Sequence, residues 1–350
     1  MTRILFFIFF LLFIVTMLAM DLGVFHKKDH EIGNKEAAIW TCIWVLLAMG
    51  MAVLLRCKAE WVHGISTMTD LLAYVSGTSM ESLIQPGMDF GSALTIYRKE
   101  IASQFLAGYF LEESLSIDNI FVMIMIFVSF GIDKKYYHRV LFWGILGAIV
   151  MRFAFIFALG AVVSRVSWVL AVFGAILIYS GVKMFKDDGN EKVDTANHPV
   201  VRFASKHFRV SSQMDGHNFV TKIDGKNYIT PLFLVLLVIE FSDVIFAVDS
   251  IPAVFSVTTD TFIVFFSNIF AIMGLRSLFF LLSNVTSKFW LLKYGLGVLL
   301  CFIGLKMIGH EFFHINISTL ASLIAILAIL VLSVTFSLLF PKKEEQQIAE

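Results

Sequence analysis

The stretch Glu240-Phe241-Ser242-Asp243-Val244-Ile245-Phe246-Ala247-Val248-Asp249-Ser250-Ile251-Pro252 sets three carboxylates inside an apolar segment that runs from 231 to 255. About 20 apolar residues in a helix cross a bilayer core. A helix also bonds its own backbone groups, as lipid requires. Segment 231–255 is therefore expected to span a membrane. Its acids then need a reason, because a charge at the centre of a spanning helix costs ~2.5–3.5 kcal/mol on insertion scales.

The rest of the chain has the same character. It is 58% hydrophobic and 15% charged with 37 phenylalanines, against roughly 45–50% and 25% in soluble domains, and its mean hydropathy is +0.84. Eight further segments are long and apolar enough to span: 3–20, 38–55, 103–130, 139–163, 167–185, 262–283, 290–309 and 317–340. The expected fold is an all-α membrane protein of about nine transmembrane helices. The first run reads as a retained helix, since Arg3 is its one leading charge and no small-x-small site precedes Asp21. The chain divides into a two-helix segment (1–57), an extracytoplasmic loop (58–102), a three-helix unit (103–185), a cytoplasmic loop (186–230), a second three-helix unit (231–309), and a last helix with a short tail (310–350). Within 186–230, Asp224-Gly225 between short alternating runs predicts a hairpin.

Composition excludes several classes. Zero net charge leaves no basic footprint for nucleic acid. The cysteines Cys42, Cys57 and Cys301 are too far apart in sequence for a C-x-x-C pair. There is no phosphate-binding G-x-x-x-x-G-K-[ST] loop to couple ATP, and no nucleophile beside a base, so an enzyme is not expected. Lys and Arg number 6 on the N-terminal side of nine spans and 16 on the other. That bias puts the N-terminus outside and the C-terminus in the cytoplasm.

The two units repeat each other. Asp118 in Leu115-Ser116-Ile117-Asp118-Asn119-Ile120 matches Asp249 in Phe246-Ala247-Val248-Asp249-Ser250-Ile251, and six residues earlier lie Glu112 and Asp243. Val140 to Arg152 matches Val264 to Arg276, and Gly181-Val182-Lys183-Met184 matches Gly304-Leu305-Lys306-Met307. Three helices per unit make the second copy run upside down, the inverted repeat that many secondary transporters build their binding site between.

Glu112, Glu113, Asp118, Glu240, Asp243 and Asp249 together would cost on the order of 15–20 kcal/mol if left unpaired. Pairing with Arg152 and Arg276 accounts for two of them and leaves four to be neutralised by protons or a bound cation. Glu240 and Asp243 share a helix face, and Pro252 is expected to kink or unwind the helix beside Asp249 and free carbonyl oxygens. Ser116, Asn119, Ser242 and Ser250 add neutral oxygens. Such a set suits a hard cation such as Mn²⁺, Mg²⁺ or Ca²⁺. No histidine lies beside either cluster, which counts against zinc and copper. Met123 and Met125 fall on different faces and read as packing.

These segments resemble the TerC family of integral membrane proteins. The resemblance rests on Gly108-Tyr109-Phe110-Leu111-Glu112-Glu113-Ser114-Leu115-Ser116-Ile117-Asp118-Asn119, on His138-Arg139-Val140-Leu141-Phe142-Trp143-Gly144, on residues 240–252, on Ser267-Asn268-Ile269-Phe270-Ala271-Ile272-Met273-Gly274-Leu275-Arg276, and on Asp21-Leu22-Gly23-Val24-Phe25-His26. It covers most of the chain outside 58–97. It implies a multi-pass protein of the bacterial inner membrane, of a cation-exporter type linked to manganese efflux, alkaline-pH response and tellurium (tellurite) resistance. The acidic motif positions of the family fall on Glu112, Asp118, Asn119, Glu240, Asp243 and Asp249, with Asp21 matching and Asn268 in support.

The expected function is export of a divalent metal ion, Mn²⁺ favoured and Ca²⁺ next, from a midplane site between the repeats. Glu112, Asp118, Asp243 and Asp249 would be principal ligands, helped by Asn119 and Glu240, with no cofactor beyond the transported ion. The alternative is a membrane scaffold assisting insertion or metalation of other proteins, for which the loops would matter more than the buried acids. Beyond lipid and the metal ion, homo-oligomers and membrane-protein partners stay open.

Overall fold

The computed structural model describes residues 2–23, 33–78, 80–166, 168–186, 198–211, 214–283, 291–315 and 317–340, with the side chains of 2–3, 18–23 and 186 outside that description. The expectations for Asp21 fall on one of those side chains.

Among the described residues, each of the nine apolar segments falls, apart from a residue or two at some ends, in one helix: α1 (Thr2–Gly23), α2 (Asn34–Lys58), α5 (Phe90–Ser129), α6 (Lys134–Val163), α7 (Val169–Lys186), α9 (Pro231–Phe255), α10 (Thr261–Ser283), α11 (Leu292–Phe313) and α12 (Thr319–Leu339). Six of them, α2, α6, α9, α10, α11 and α12, are long and apolar enough to cross a membrane, while α1 and α7 carry shorter apolar stretches, Ile4–Met17 and Val169–Phe185. Leu12, Leu46, Val150, Tyr179 and Leu305 stand exposed on their helices. Apolar surface on that scale belongs against lipid. The chain is an all-α membrane protein.

The segment 58–102 is more ordered than a loop. It holds α3 (Glu60–His63), α4 (Met68–Val75) and the first turns of α5. Thr67 and Asp70 form a reciprocal cap on α4, and Asp89 accepts the Ser92 N–H to open α5. With 40 residues α5 is ~60 Å long, about twice a bilayer core. Its N-terminal half therefore stands outside, where Tyr97 and Ile101 form one core with Val62, Leu71, Val75 and Ile84. Segment 186–230 holds α8 (Pro199–His207) and a hairpin of β1 (Val220–Ile223) and β2 (Lys226–Ile229). Its turn places both Asp224 (φ 52°) and Gly225 (φ 75°) in the left-handed region. A tight two-residue hairpin turn requires that.

The helix α10 is the centre of the bundle: it packs on α5, α2 and α6, and its spanning stretch is the most buried of all. Phe6, Phe7 and Phe10 of α1 pack on its N-terminal half, with Phe10 and Phe266 ring centroids 4.3 Å apart. Elsewhere α5 packs on α9, α6 on α9 and α7 on α11. The α7–α11 contact is backbone against backbone. A Cβ at Gly181 would sit 2.7 Å from the carbonyl oxygen of Gly297, and one at Gly297 would sit 3.0 Å from that of Gly181; Gly174 and Gly304 face each other in the same mutual way. Small residues permit such close approach between helices in lipid.

The unwinding expected beside Asp249 does not occur. The helix α9 runs through Asp249 and Pro252 without unwinding and ends three residues later at Phe255. Pro252 sits in the last turn, so its missing N–H releases one carbonyl, that of Val248, and the helix has little length left to break.

Candidate intramembrane acidic centre

Four helices converge on one guanidinium. Arg152 of α6 is 1% exposed. Its Nη2 donates to Oδ1 of Asp243 on α9 at 3.0 Å and its Nε to Oδ2 at 3.4 Å, a two-pronged contact. Its Nη1 donates to Oε1 of Glu112 on α5 and, at 3.0 Å, to Oδ1 of Asn268 on α10. The amide of Asn268 is itself held by its Nδ2 on the carbonyl of Val264 at 3.1 Å. Glu112 and Asp243, both buried, are the two acids at matching positions of the sequence repeat. One arginine thus answers two carboxylates, where the sequence alone assigns one acid to each arginine.

The charge balance of this cluster is one positive against two ionisable acids. Oε2 of Glu112, Oε2 of Glu113, Oγ of Ser116 and Oγ of Ser250 are buried with no hydrogen-bond partner. Leaving a buried polar atom unpaired costs about 1–3 kcal/mol. Oε2 of Glu112, on a carboxylate that Arg152 already holds, marks a place that an ion, proton or water can satisfy.

The remaining candidates lie around this centre rather than in it. Asp249 is half-buried and accepts from Ser180 Oγ of α7 at 3.2 Å. Glu240 rests its carboxylate against Gly147 of α6, where a Cβ would overlap it. Glu113 points toward Gly274 of α10 and Trp44 of α2, away from Arg152. Asp118 is half-buried and Asn119 buried on α5. Arg276 of α10 is 5% exposed and donates from Nη1 to Nε2 of His138 at 2.5 Å. A small cavity, with room for about one water, is bordered by Asp243, Arg276, Gly144, Ala148, Ile239 and Leu275 among others. Among the described residues no three His, Cys, Asp or Glu side chains lie close enough to hold one metal ion in this conformation.

A second polar cluster, outside the bilayer segments, is absent from the sequence reading. Oδ2 of Asp260, in the α9–α10 connection, lies 2.7 Å from Nε2 of His63 and accepts from Tyr74 Oη at 2.5 Å. Nδ1 of His63 is 2.6 Å from Tyr97 Oη. Oδ1 of Asp260 accepts the Phe262 N–H at 2.9 Å and opens α10. Next to it Thr258 donates to Oε1 of Gln104 at 2.6 Å. Glu60 and Arg98 pair alongside, with Nε to Oε2 at 2.8 Å. The 58–102 segment is thereby tied to the connection between α9, which carries Asp243, and α10, which carries Asn268. Only a cap-like Thr-Thr-Asp before α10 hints at this in the sequence; the partners are 34 to 197 positions apart in their numbering and follow no periodicity.

Burial raises Asp260, but the hydrogen bonds from His63, Tyr74 and the Phe262 amide outweigh it and hold the carboxyl below its usual range. The Tyr74 hydroxyl is pushed well above its usual value by burial and by Asp260. A depressed acid adds stability above its unfolded pKa, ~3.9, and that stability is lost as pH falls through the folded value. Asp260→Asn is thus expected to cost about 2–3 kcal/mol at neutral pH. The gap to wild type should close below about pH 4. Chemical denaturation in detergent at about pH 7 and about pH 2 checks this; a gap unchanged between the two would contradict it.

The family model described as the integral membrane protein TerC family matches residues 97–345, from the outer part of α5 past the end of α12. The chain belongs to the TerC family. It is 40% identical to a Myxococcus xanthus membrane protein over 90% of this chain and 88% of that one. It is 40% identical to a Salmonella typhi protein over 88% and 87%, and 39% identical to an Escherichia coli K12 protein over 93% and 91%; both are provisionally described as a membrane-bound redox modulator, Alx. No solved structure matches. This TerC protein carries both acidic motifs of its sequence reading within the matched region.

Proposed function

We propose that this TerC protein exports a divalent cation, Mn²⁺ foremost, from the cytoplasm through the acidic centre between two inverted three-helix units. The observation that carries the reading is the meeting of Glu112 and Asp243, matched in the sequence repeat, on one buried guanidinium, with the second oxygen of Glu112 left unpartnered. Six buried or half-buried acids in apolar helices are costly to insert and need a cation or protons to balance them.

The inverted repeat is supported by the packing. The register that matches Gly181 with Gly304 also matches Gly174 with Gly297, so the two glycine contacts of α7 and α11 exchange into each other. The contact of α5 on α10 is answered by that of α9 on α6, as a two-fold axis in the membrane plane requires. In this reading of nine spans, the Lys/Arg bias favours the N-terminus, α3 and α4 outside and α8 with the hairpin in the cytoplasm of a bacterial inner membrane. Arg152 closes the centre in the present conformation. Loading a cation requires it to let go, after which Glu112 and Asp243 with Asp118 and Asp249 supply hard oxygen ligands, and Asn119 and Glu240 assist.

The test is total cell manganese by mass spectrometry in bacteria lacking their own exporters and loaded with Mn²⁺. Lower manganese with wild type, but not with Asp118→Asn or Asp249→Asn at equal membrane levels, is expected. Equal manganese in all strains would move the assignment to another cation or to the scaffold role.

A further inference from the structure

The two arginines are matched by the repeat, as are the two acids, and the structure treats the pairs differently. Exchanging the units carries Glu112 onto Asp243 and Asp243 onto Glu112, so the acid pair maps onto itself. The same exchange carries Arg152 onto Arg276. The acids therefore have two equivalent cationic suitors, and Arg152 holds both acids here while Arg276 reaches His138. His138 has no matching histidine in the second unit, where Phe262 occupies its position.

Arg276 borders the same small cavity as Asp243, with the small residues Gly144 and Ala148 also in its wall. Axial position adds a direction. Arg152 lies about 5 Å beyond the middle of α6 toward its C-terminal end and Arg276 about 6 Å beyond the middle of α10 toward its own. In the nine-span reading these helices run oppositely, so Arg152 approaches the acids from the outer side and Arg276 from the cytoplasmic side.

We infer that Arg152 and Arg276 are alternative counter-cations of the Glu112–Asp243 pair, and that a second conformation of this chain has Arg276 in place of Arg152. This rests on the inverted-repeat part of the proposed function. With Arg152 engaged the outer route is blocked by its guanidinium; with Arg276 engaged the cytoplasmic route is. The acid pair keeps a cation in both conformations, and the transported ion replaces it only between them. Arg276 is then a positioning residue for this site rather than a support for His138 alone.

The experiment is a mutant cycle on the purified full chain in detergent with no metal added, reading the unfolding equilibrium of wild type, Arg152→Gln, Arg276→Gln and the double variant. Because Arg276 takes over when Arg152 is gone, losing both is expected to shift the equilibrium at least about tenfold beyond the product of the single effects. The excess should vanish when Glu112→Gln and Asp243→Asn are present together. Single effects that multiply within about twofold, or an excess that survives neutralising the acids, would overturn the inference. Should Arg152→Gln not be recovered folded, Arg152→Lys takes its place with the same two readings. The assay contains no transported ion, so failure here leaves cation export standing, and failure of export leaves the arginine exchange standing.

Discussion

Arg152→Met is expected to destabilise the protein by about 3–5 kcal/mol, the usual cost of breaking a buried ion pair from one side. The size follows from what is left behind. Glu112 is fully buried and Asp243 nearly so, and with the guanidinium gone both carboxylates lose their only charged donor on α6. Asn268 loses its partner as well. Takeover by Arg276 would bring the loss to the low end of the range. Adding Glu112→Gln and Asp243→Asn to Arg152→Met should recover most of it, because removing every charge together is far cheaper than removing one partner. Denaturation of the detergent-solubilised variants checks both statements; a triple variant no better than Arg152→Met would show that the loss is one of packing.

The second large effect separates two acids on neighbouring helices, Asp243 on α9 and Glu113 on α5. Asp243→Asn keeps the shape of the centre, and Arg152 retains Glu112, so folding should survive. Protection of exporter-deficient cells against added Mn²⁺ should fall on the order of tenfold or more, the scale of losing a group that holds or orients a metal. Glu113→Gln, on the face of α5 turned to Gly274 of α10 and Trp44 of α2, should leave protection within about twofold, as a change that shares no partner with the centre does. The growth-inhibiting Mn²⁺ concentration for each strain reads the difference. Equal losses for both would mean that buried acids in general, rather than those around Arg152, support the activity.

Much of this architecture is legible in the residues. Long apolar runs define every spanning helix, and Asp224-Gly225 dictates the hairpin turn because both positions must take positive φ. The acids on α5 and α9 stand out through their insertion cost, and their pairing by repeat leads to the centre where Glu112 meets Asp243. Other features depend on three-dimensional proximity that no spacing encodes. Nothing around Arg152 says that it takes both acids, since one comes from 40 positions before it and the other from 91 after. The His63–Asp260 network is hidden for the same reason. The outer turns of α5 read as loop because polar residues such as Arg98, Lys99 and Glu100 interrupt the hydrophobic run, although nothing between Ser92 and Ser129 breaks a helix. Pro252 reads as a break because its place within the helix is set by where α9 ends, and that end is fixed by tertiary packing of the 256–260 connection.

The most direct measurement is Mn²⁺ movement across vesicles reconstituted with the purified chain, followed by a manganese-quenched dye sealed inside. Wild type is predicted to carry the ion down an imposed gradient faster than protein-free vesicles, and Asp249→Asn, inserted to the same level, to fall back to the protein-free rate. Wild-type vesicles no faster than empty ones, or an Asp249→Asn rate equal to wild type, would contradict transport through the acidic centre.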